Sequence, residues 1–598
     1  MARNVDIDEM RAHLKDFRNA ETGWRDIYDD AINDLYFVSG EGQWPADIKA
    51  EREAAERPIL TFNKLWKFIK SVTGDQKQNR PQVKVYPSDS LADIPLAEVF
   101  QDIIRHIEYK SKAHIVYDTG FNQCLASGIG FWRIRSEYKE GSFEQDLKIE
   151  RIRNQLSVLF DPRAKDPLFT DAMYVFISSW MDMDTYKEKY PDKSTTSTPG
   201  NSFYDADQGW YEEDRIRLSE KYYKKIVKYK IALLNNGETV DLVDGVTEKL
   251  IEEQGFSIVQ KRETFRTEIY WVLLNGAEIL EGPTLWPGKY IPVVPIIGDE
   301  MDIQGKLRLY SLIRHAKDAQ RMYNYHMTTK TETVALQPRA PWLITAEQVE
   351  GYERLWREAA RTNPPALLYK HVPGQPAPTR VHPPSVPSGS TMEAKDADND
   401  IYDTIGISPP SLGEPSNERS GKALILRQKA SDKGTFSFFD NHADAIAHTG
   451  KILVDLIPHY YDTTRIIKIM GDDKKLKELA INVPMIDDEN GFEEFVHNDM
   501  TNAGEYDVIL ESGPSYETKR QEIAEMLMKA VQFVPQAGPV LIPKLFDHID
   551  APGAQEVAEQ LYQLMDPTSR GAITGDQNTQ GSPGTPGAGM TQAPPPGP

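Results

Sequence analysis

The chain has 598 residues, and its 91 Asp and Glu against 69 Lys and Arg give a formal net charge of −22. This acidity argues against a protein that coats DNA, because neutralising phosphates requires an excess of Lys and Arg. With 39% hydrophobic residues the chain can bury a sizeable core, and its single cysteine excludes a disulfide framework and a cysteine-based zinc site. The length predicts about four domain-sized units. No apolar run approaches the ~20 residues that span a bilayer, and no secretory leader is visible at the N-terminus.

The N-terminal half divides into a helical part and a β-rich part. Trp24, Ile27 and Ala31 recur at helical spacing within the first 80 residues, and the pattern over residues 91–125 predicts one further helical stretch. From Gly130 to about residue 274 the segments alternate as strands do, and residues 193–214 have the composition of a loop.

The central part is dominated by long helices. Apolar residues step by three and four over residues 306–336, which predicts a helix that Pro338 ends. A compact proline-rich insert follows. The next predicted segments are a helix over 391–407, a Gly/Pro loop over 408–421 and a long helix from residue 422 that Gly434 bends.

The C-terminal part mixes strands with helices, the latter over residues 516–531 and 554–565. Residues 566–598 contain seven Pro and seven Gly and are expected to be disordered. The fold class expected for the whole chain is α+β and predominantly helical.

Residues Ser416–Ala423 come close to the sequence motif of a phosphate-binding loop. The motif requires Gly at its first position and a hydroxyl after the Gly-Lys pair, but Ser416 and Ala423 occupy these positions and no apolar strand precedes them. The 12 histidines form no HExxH motif, and no GxSxG motif is present. The sequence therefore gives no support for an enzyme, a cofactor or a metal.

Asp396, Asp398 and Asp400 resemble the start of a calcium loop. The sixth and twelfth positions of that loop, which require Gly and Glu, are Ile401 and Ile407. On a helix, Asp396 and Asp400 would instead share one solvated acidic face with Asp403. Basic residues also cluster around the predicted helix of residues 306–336, and we expect them to pair with neighbouring acids. They are Lys306, Arg308, Arg314, Lys317 and Arg321.

The order of long helix, proline-rich insert, short helix, loop and very long helix resembles the portal proteins of tailed bacteriophages, specifically those of short-tailed phages of enteric bacteria. Several long strings carry this resemblance over roughly residues 20–565. They are Arg57–Asn63, Gly74–Pro81, Trp180–Asp184, Leu312–Arg321, Pro364–Tyr369, Ser411–Gly413, Gly513–Tyr516 and Arg520–Glu522.

The resemblance implies a ring of twelve subunits around a channel at one capsid vertex. The implied regions are a wing (1–305), a first stem helix (306–336), a clip (337–390), a second stem helix (391–407), a tunnel loop (408–421), a long helix (422–462), wing return strands (463–515), crown helices (516–565) and a tail (566–598). Some relatives extend into a long helical barrel, but the Pro/Gly tail predicts no barrel of comparable length.

The resemblance also implies partners and surfaces. The partners are the terminase large subunit, head–tail adaptors, the major capsid protein, the scaffold, and double-stranded DNA as non-specific cargo, in a virion protein assembled in the host cytoplasm. The residues expected to line the channel are Asn417, Glu418, Arg419, Lys422, Asp396, Asp400 and Asp403. The residues expected on the docking surface of the clip are Trp342, Glu347, Glu350, Arg354, Lys370 and Arg380.

Two other interpretations stay open from the sequence. A phage NTPase or enzyme acting on DNA would require an intact phosphate loop, which Ser416–Ala423 does not supply. A helical scaffold protein without a channel would not form a closed ring.

Overall fold

We describe a computed structural model of the chain. It describes residues 2–78, 80–88, 93–193, 209–212, 214–235, 237, 239–242, 251, 256–336, 342–362, 364–381, 388–407, 421–470, 476–486, 493–500, 504–511, 526–533 and 541–542. The chain forms two compact units instead of about four. The first unit comprises Met1–Lys77 and Pro81–Glu511, and the second comprises Gln78–Arg80 and Ser512–Pro598. Within the second unit residues 526–533 are helical, whereas the second predicted crown helix and the tail lie outside the described residues.

The fold mixes helices with antiparallel sheets, as the α+β expectation requires. The helices are α1 (Ala2–Ser39), α2 (Ala46–Ala54), α3 (Leu65–Gln78), α4 (Ile94–Ser111), α5 (Ala113–Ser127), α6 (Met183–Lys189), α7 (Lys317–Leu336), α8 (Ala346–Val349), α9 (Glu353–Thr362), α10 (Ser388–Ile405) and α11 (Gly421–Tyr460).

The strands lie in one large sheet, one three-stranded sheet and several two-stranded sheets. They are β1 (Gln82–Pro87), β2 (Ile129–Tyr138), β3 (Gln145–Arg151), β4 (Val158–Phe160), β5 (Tyr174–Asp182), β6 (Tyr211–Glu212), β7 (Arg215–Leu234), β8 (Thr239–Leu242), β9 (Ile258–Leu274), β10 (Ile279–Trp286), β11 (Val293–Ile297), β12 (Asp299–Ile303), β13 (Lys306–Tyr310), β14 (Trp342–Leu343), β15 (Thr379–Arg380), β16 (Arg465–Met470), β17 (Leu476–Ile481), β18 (Val483–Ile486), β19 (Glu493–His497) and β20 (Tyr506–Glu511). The large sheet runs in the order β10-β9-β7-β5-β4, with β6 and β8 paired to β7.

Two large hydrophobic cores support these layers. The first packs α3, α4 and α5 against α10, α11 and the three-stranded sheet β11-β2-β3. It encloses Cys124, whose side chain is fully buried, and this burial raises the pKa of the thiol. The second core places α1 on the large sheet, with Trp24 donating its indole N–H to the carbonyl of Phe160 at 2.8 Å.

The helix expected over residues 306–336 begins with a 3-10 turn at Arg314–Ala316 and continues as an α-helix from Lys317, so that prediction is wrong for residues 306–313. Residues 306–310 form β13, which pairs with β12 through a turn at Gln304 and Gly305, both at positive φ (56° and 78°). The alternation of charged and apolar residues over 306–309 is a strand pattern, and this local period outweighs the helical spacing of the leucines.

One further expectation about helices is corrected, and the expected bend at Gly434 stays a prediction. The stretch 91–125 is two helices, because the chain turns at Lys112 with a φ of 51°. Gly434 lies inside the single helix α11, and its packing role is a close approach: a Cβ there would lie 3.0 Å from the carbonyl oxygen of Gly406 at the end of α10. Glycine therefore allows the backbones of α10 and α11 to touch.

Candidate functional site

Helices α7 and α10 pack against each other, and in the chain they flank a connecting insert. The apolar positions of α10 recur at spacings of three and four and are buried, namely Ala394, Ala397, Ile401 and Ile405. Tyr402 packs edge-on against Phe68 of α3, with ring centroids 5.0 Å apart. This packing leaves the opposite side of α10 facing outward.

The outward side of the two helices forms an acidic groove of about 520 Å³. Its lining includes five carboxylate side chains and one histidine: Asp318, Glu393, Asp396, Asp400, Asp403 and His315. The structure therefore brings together the three aspartates that the sequence placed on one helix face, and all three are exposed. Clustered carboxylates in water repel anions, so this surface disfavours tight contact with a phosphate backbone.

The calcium-loop interpretation finds no support in the geometry. Asp398 leaves the groove and pairs with Lys64, which also lies over the ring of Tyr323 at 4.4 Å. Among the residues that the structure describes, no group of three or more His, Cys, Asp or Glu side chains could hold a metal ion.

Residues 408–420 of the predicted tunnel loop, which include Asn417, Glu418 and Arg419, lie outside the described residues. Lys422 lies in the first turn of α11, but its side chain is outside them as well. Their place in the channel stays a prediction.

The basic cluster expected on the stem helix is paired with α1. Asp26, Asp30 and Asp34 are spaced by four residues along α1. Arg308 Nη2 lies 3.0 Å from Asp26 Oδ2, and Arg314 Nη1 lies 3.0 Å from Asp30 Oδ2. These contacts confirm the expectation that the basic residues pair with neighbouring acids.

We call Asp26, Asp30 and Asp34 the aspartate ladder. Its buried end is Asp34, whose side chain is completely enclosed. It accepts hydrogen bonds from Ser311 Oγ at 2.7 Å and from Arg314 Nε, and it also pairs with Lys317. Arg321 instead pairs with Asp318 at 2.8 Å. The sequence analysis did not single out Asp34, although its i, i+4, i+8 spacing with Asp26 and Asp30 was available as a signal.

A segment without helix or strand, residues 57–64, lies along α7, and we call it the strap. Gln320 accepts from the amide of Lys64 at 3.1 Å and donates to the carbonyl of Phe62 at 2.8 Å, and Asn324 accepts from the amide of Phe62 at 2.9 Å. Farther along, Thr328 donates to the carbonyl of Leu60 at 3.3 Å. The strap contains Arg57–Asn63, one of the strings that carry the family resemblance.

Glu332 ends this row of contacts near the start of the insert. Its carboxylate lies 2.8 Å from Arg52 Nη2 and 2.7 Å from Arg57 Nε. The hydrogen bond and the charge of Arg57, together with Arg52, hold the pKa of Glu332 below its ordinary value. The carboxylate therefore stays ionised although it is buried.

The insert (residues 342–381, with residue 363 undescribed) has its own polar framework around Gln348. This buried side chain donates to the carbonyl of Pro376 at 2.7 Å and accepts from the amide of Thr345, forming a capping box at the start of α8. Trp356 donates to the carbonyl of Leu368 at 2.8 Å and packs edge-on against Trp342, with centroids 5.5 Å apart. These contacts fix the conformation of the insert and therefore the arrangement of its surface residues.

The residues predicted for docking all lie on the exterior of the insert: Trp342, Glu347, Glu350, Arg354, Lys370 and Arg380. Lys370 pairs with Glu350 at 2.5 Å, and the guanidinium of Arg380 lies 5.8 Å from the ring centroid of Trp342. Exposed apolar residues interrupt these charges, notably Leu343 and Leu368 at 66% and 59% exposure. Aromatic and apolar groups within a charged rim are the usual composition of a protein-binding surface.

In the parts of the chain with described coordinates, no helix combines the length and apolarity needed to cross a membrane. The fold and its surfaces define an α+β protein in which two packed helices carry an acidic groove and flank an exposed insert.

Comparisons with known proteins assign this architecture to a class. Residues 14–593 match the family of Phage P22-like portal proteins. A curated relative, the portal protein of Acyrthosiphon pisum secondary endosymbiont phage 1, is 24% identical over 546 residues, which cover 87% of this chain and 75% of the relative. The chain belongs to the Phage P22-like portal protein family, as the resemblance in its sequence implied.

Proposed function

We propose that twelve copies of this chain form a ring at one vertex of a phage capsid, and that double-stranded DNA enters and leaves through its central channel. The observation that carries the proposal is the family match, which extends over almost the whole chain. The separation of an acidic groove from an exposed docking insert supports it, because a conduit requires one surface that releases its cargo and another that holds partners.

In this proposal the acidic groove faces the channel. Twelve copies of Asp396, Asp400 and Asp403 would form stacked rings of negative charge that repel phosphates. Asn417, Glu418, Arg419 and Lys422 would contact the DNA backbone without reading its bases, since phosphate contacts carry no sequence information.

The insert would serve as the clip. It would dock the terminase large subunit during packaging and the head–tail adaptors afterwards, through the surface around Trp342 and Arg380. The wing, built from α1 and the large sheet, would face the major capsid protein and the scaffold. The assembled protein would lie at the head–tail junction of the virion after assembly in the host cytoplasm.

The assembly is tested by native mass spectrometry with imaging of the particles. We expect a closed ring of about 814 kDa, which is twelve times the 67.8 kDa of one chain. A monomer or dimer at high protein concentration would contradict the proposal and would favour a scaffold protein without a channel.

The channel wall is tested by charge changes in packaging assays. Replacing Arg419 and Lys422 with Gln should change the amount or retention of packaged DNA while rings still form. Replacing Asp396, Asp400 and Asp403 with Asn should slow DNA passage, because the wall would no longer repel phosphates. Unchanged packaged length and yield in both variants would contradict the channel assignment of these residues.

A further inference from the structure

One face of α7 is buried and yet polar along its whole length. Gln320, Asn324 and Thr328 are fully buried, and Glu332 is 7% exposed. They follow one another at intervals of four residues, so they form a single row beneath the strap. A helix face that is covered by protein normally carries apolar side chains, so this row requires a specific explanation.

The contacts between α7 and the strap repeat at nearly the same distance along the helix and along the strap. Four residues of helix rise by about 6 Å, and two residues of extended chain cover about 6.6 Å. The hydrogen bonds follow this match, because Gln320, Asn324 and Thr328 meet main-chain groups of Lys64, Phe62 and Leu60. Amide and hydroxyl side chains both donate and accept, so most of these bonds could form again if α7 moved along the strap by one turn.

Glu332 breaks this equivalence. If α7 moved one turn in one direction, Thr328 would stand between Arg52 and Arg57 and supply no charge. If it moved one turn in the other direction, Glu332 would meet the carbonyl of Leu60, which cannot donate a hydrogen bond. Either shift leaves two guanidinium groups without their carboxylate, and Arg52 is only 4% exposed.

We propose that Glu332 is a positioning residue that locks the register of α7 on the strap, and thereby sets where α7 delivers the insert. Gln320, Asn324 and Thr328 hold the helix against the strap, whereas the Arg52–Glu332–Arg57 cluster selects one of several similar alignments. α7 ends four residues later, at Leu336. The lock is a property of the single chain, and its consequence for clip position rests on the proposed portal function.

The test is hydrogen exchange followed by mass spectrometry on the full-length protein. The reporter is the peptide that spans residues 60–66, because it contains the amides of Phe62 and Lys64. Gln320 lies twelve residues from Glu332, about 18 Å along the helix. If Glu332 locks the register, Glu332→Gln accelerates exchange in this peptide at least tenfold. If exchange changes only around residues 52–58, Glu332 forms a local pair and the proposal is wrong.

The choice of substitutions separates charge from shape. Gln matches the volume of Glu without its charge, whereas Asp keeps the charge on a shorter side chain. A lock that depends on charge predicts faster exchange in Glu332→Gln than in Glu332→Asp, and the reverse order would overturn it. Glu393→Gln, on the exposed side of α10, is the matched control and should leave the peptide unchanged.

Two more measurements keep the test decisive. Should Glu332→Gln fail to fold, Arg57→Gln removes two of the hydrogen bonds to Glu332 and keeps Arg52 in place, and it should accelerate exchange about threefold in the same peptide. Unaltered exchange there would contradict the lock. Ring formation by the wild-type chain is measured separately, so a failure of the portal proposal is distinguishable from a failure of the lock.

Discussion

Trp132 and Thr449 join parts of the chain that are 317 residues apart. The indole Nε1 of Trp132, on β2, donates to the hydroxyl of Thr449, on α11, at 2.9 Å, and both side chains are fully buried. The bond connects the three-stranded sheet to the long helix at the centre of the first core. Neither residue can reach water to replace its partner.

Thr449→Val is therefore expected to lower the free energy of unfolding by about 1–3 kcal/mol, since it leaves the indole N–H without an acceptor. Denaturant titration followed by circular dichroism measures this change. Thr119→Val is the matched control, because the exposed Thr119 hydroxyl donates to the carbonyl of Ile115 within its own helix, as Thr449 does to Ala445. Equal decreases in the free energy of unfolding of the two variants would show that the bond from Trp132 does not contribute to stability.

A second prediction concerns Gly120, on α5, against which the ring of Trp132 packs. A Cβ at Gly120 would lie 2.7 Å from Trp132 Cε3, and the ring has no room to move because it is completely buried. Gly120→Ala should thus destabilise the protein by about 1–3 kcal/mol, although alanine favours helices.

Gly74→Ala on α3 provides the opposite case. Apart from the nearby backbone of α3 itself, no described atom lies within 4 Å of the added Cβ, so the intrinsic preference for alanine should raise stability by up to ~1 kcal/mol. Thermal unfolding of the two variants should shift in opposite directions. A shift of the same sign would mean that packing at Trp132 does not decide the effect.

The aspartate ladder on α1 supplies a third prediction. Asp34 is fully buried beside Arg314 and Lys317, so Asp34→Asn leaves Lys317 without its carboxylate and Arg314 with Asp30 alone, and it should cost about 3–5 kcal/mol. Asp26 is half exposed and pairs with Arg308, so Asp26→Asn should cost no more than about 1 kcal/mol. Denaturant titration of both variants measures the two decreases in the free energy of unfolding. Decreases of similar size would contradict the role of burial.

Three buried histidines predict a loss of stability in acid. Burial, chiefly, lowers the pKa of His13 and of His442 to about 3 and that of His448 to about 4. The folded chain keeps these rings neutral, whereas the unfolded chain binds protons below about pH 6.5. The free energy of unfolding should therefore fall as the pH drops from about 6.5 to about 4, by up to ~1.4 kcal/mol per pH unit for each ring.

His442→Leu tests this assignment, because it removes one of the three titrating groups and should flatten the dependence on pH. Phe121→Leu is the control: its ring lies 4.9 Å from that of His442, and its replacement alters packing at the same place without removing a titratable group. Denaturant midpoints measured between pH 4 and pH 7 compare the two. An equal slope in wild type and His442→Leu would exclude His442 as a source of the acid sensitivity.

The parts of the fold that follow from local periodicity were accessible from the sequence. The acidic face of α10 was predicted because Asp396, Asp400 and Asp403 repeat within one short helix. The hairpin of β12 and β13 was missed because a two-residue period and a helical period overlap over residues 306–309. The strap was also missed: its bonds join residues about 260 positions apart, and no local pattern encodes such a distance.

Cys124 has a practical consequence for chemistry on this protein. It is the only cysteine of the chain, its side chain is fully enclosed, and burial keeps its thiol from ionising. Thiol-directed reagents should therefore leave the native protein unmodified. A fluorophore or spin label could be attached to a cysteine introduced on the insert or in the acidic groove without first removing the native one, and each subunit of an assembly would then carry one defined reporter.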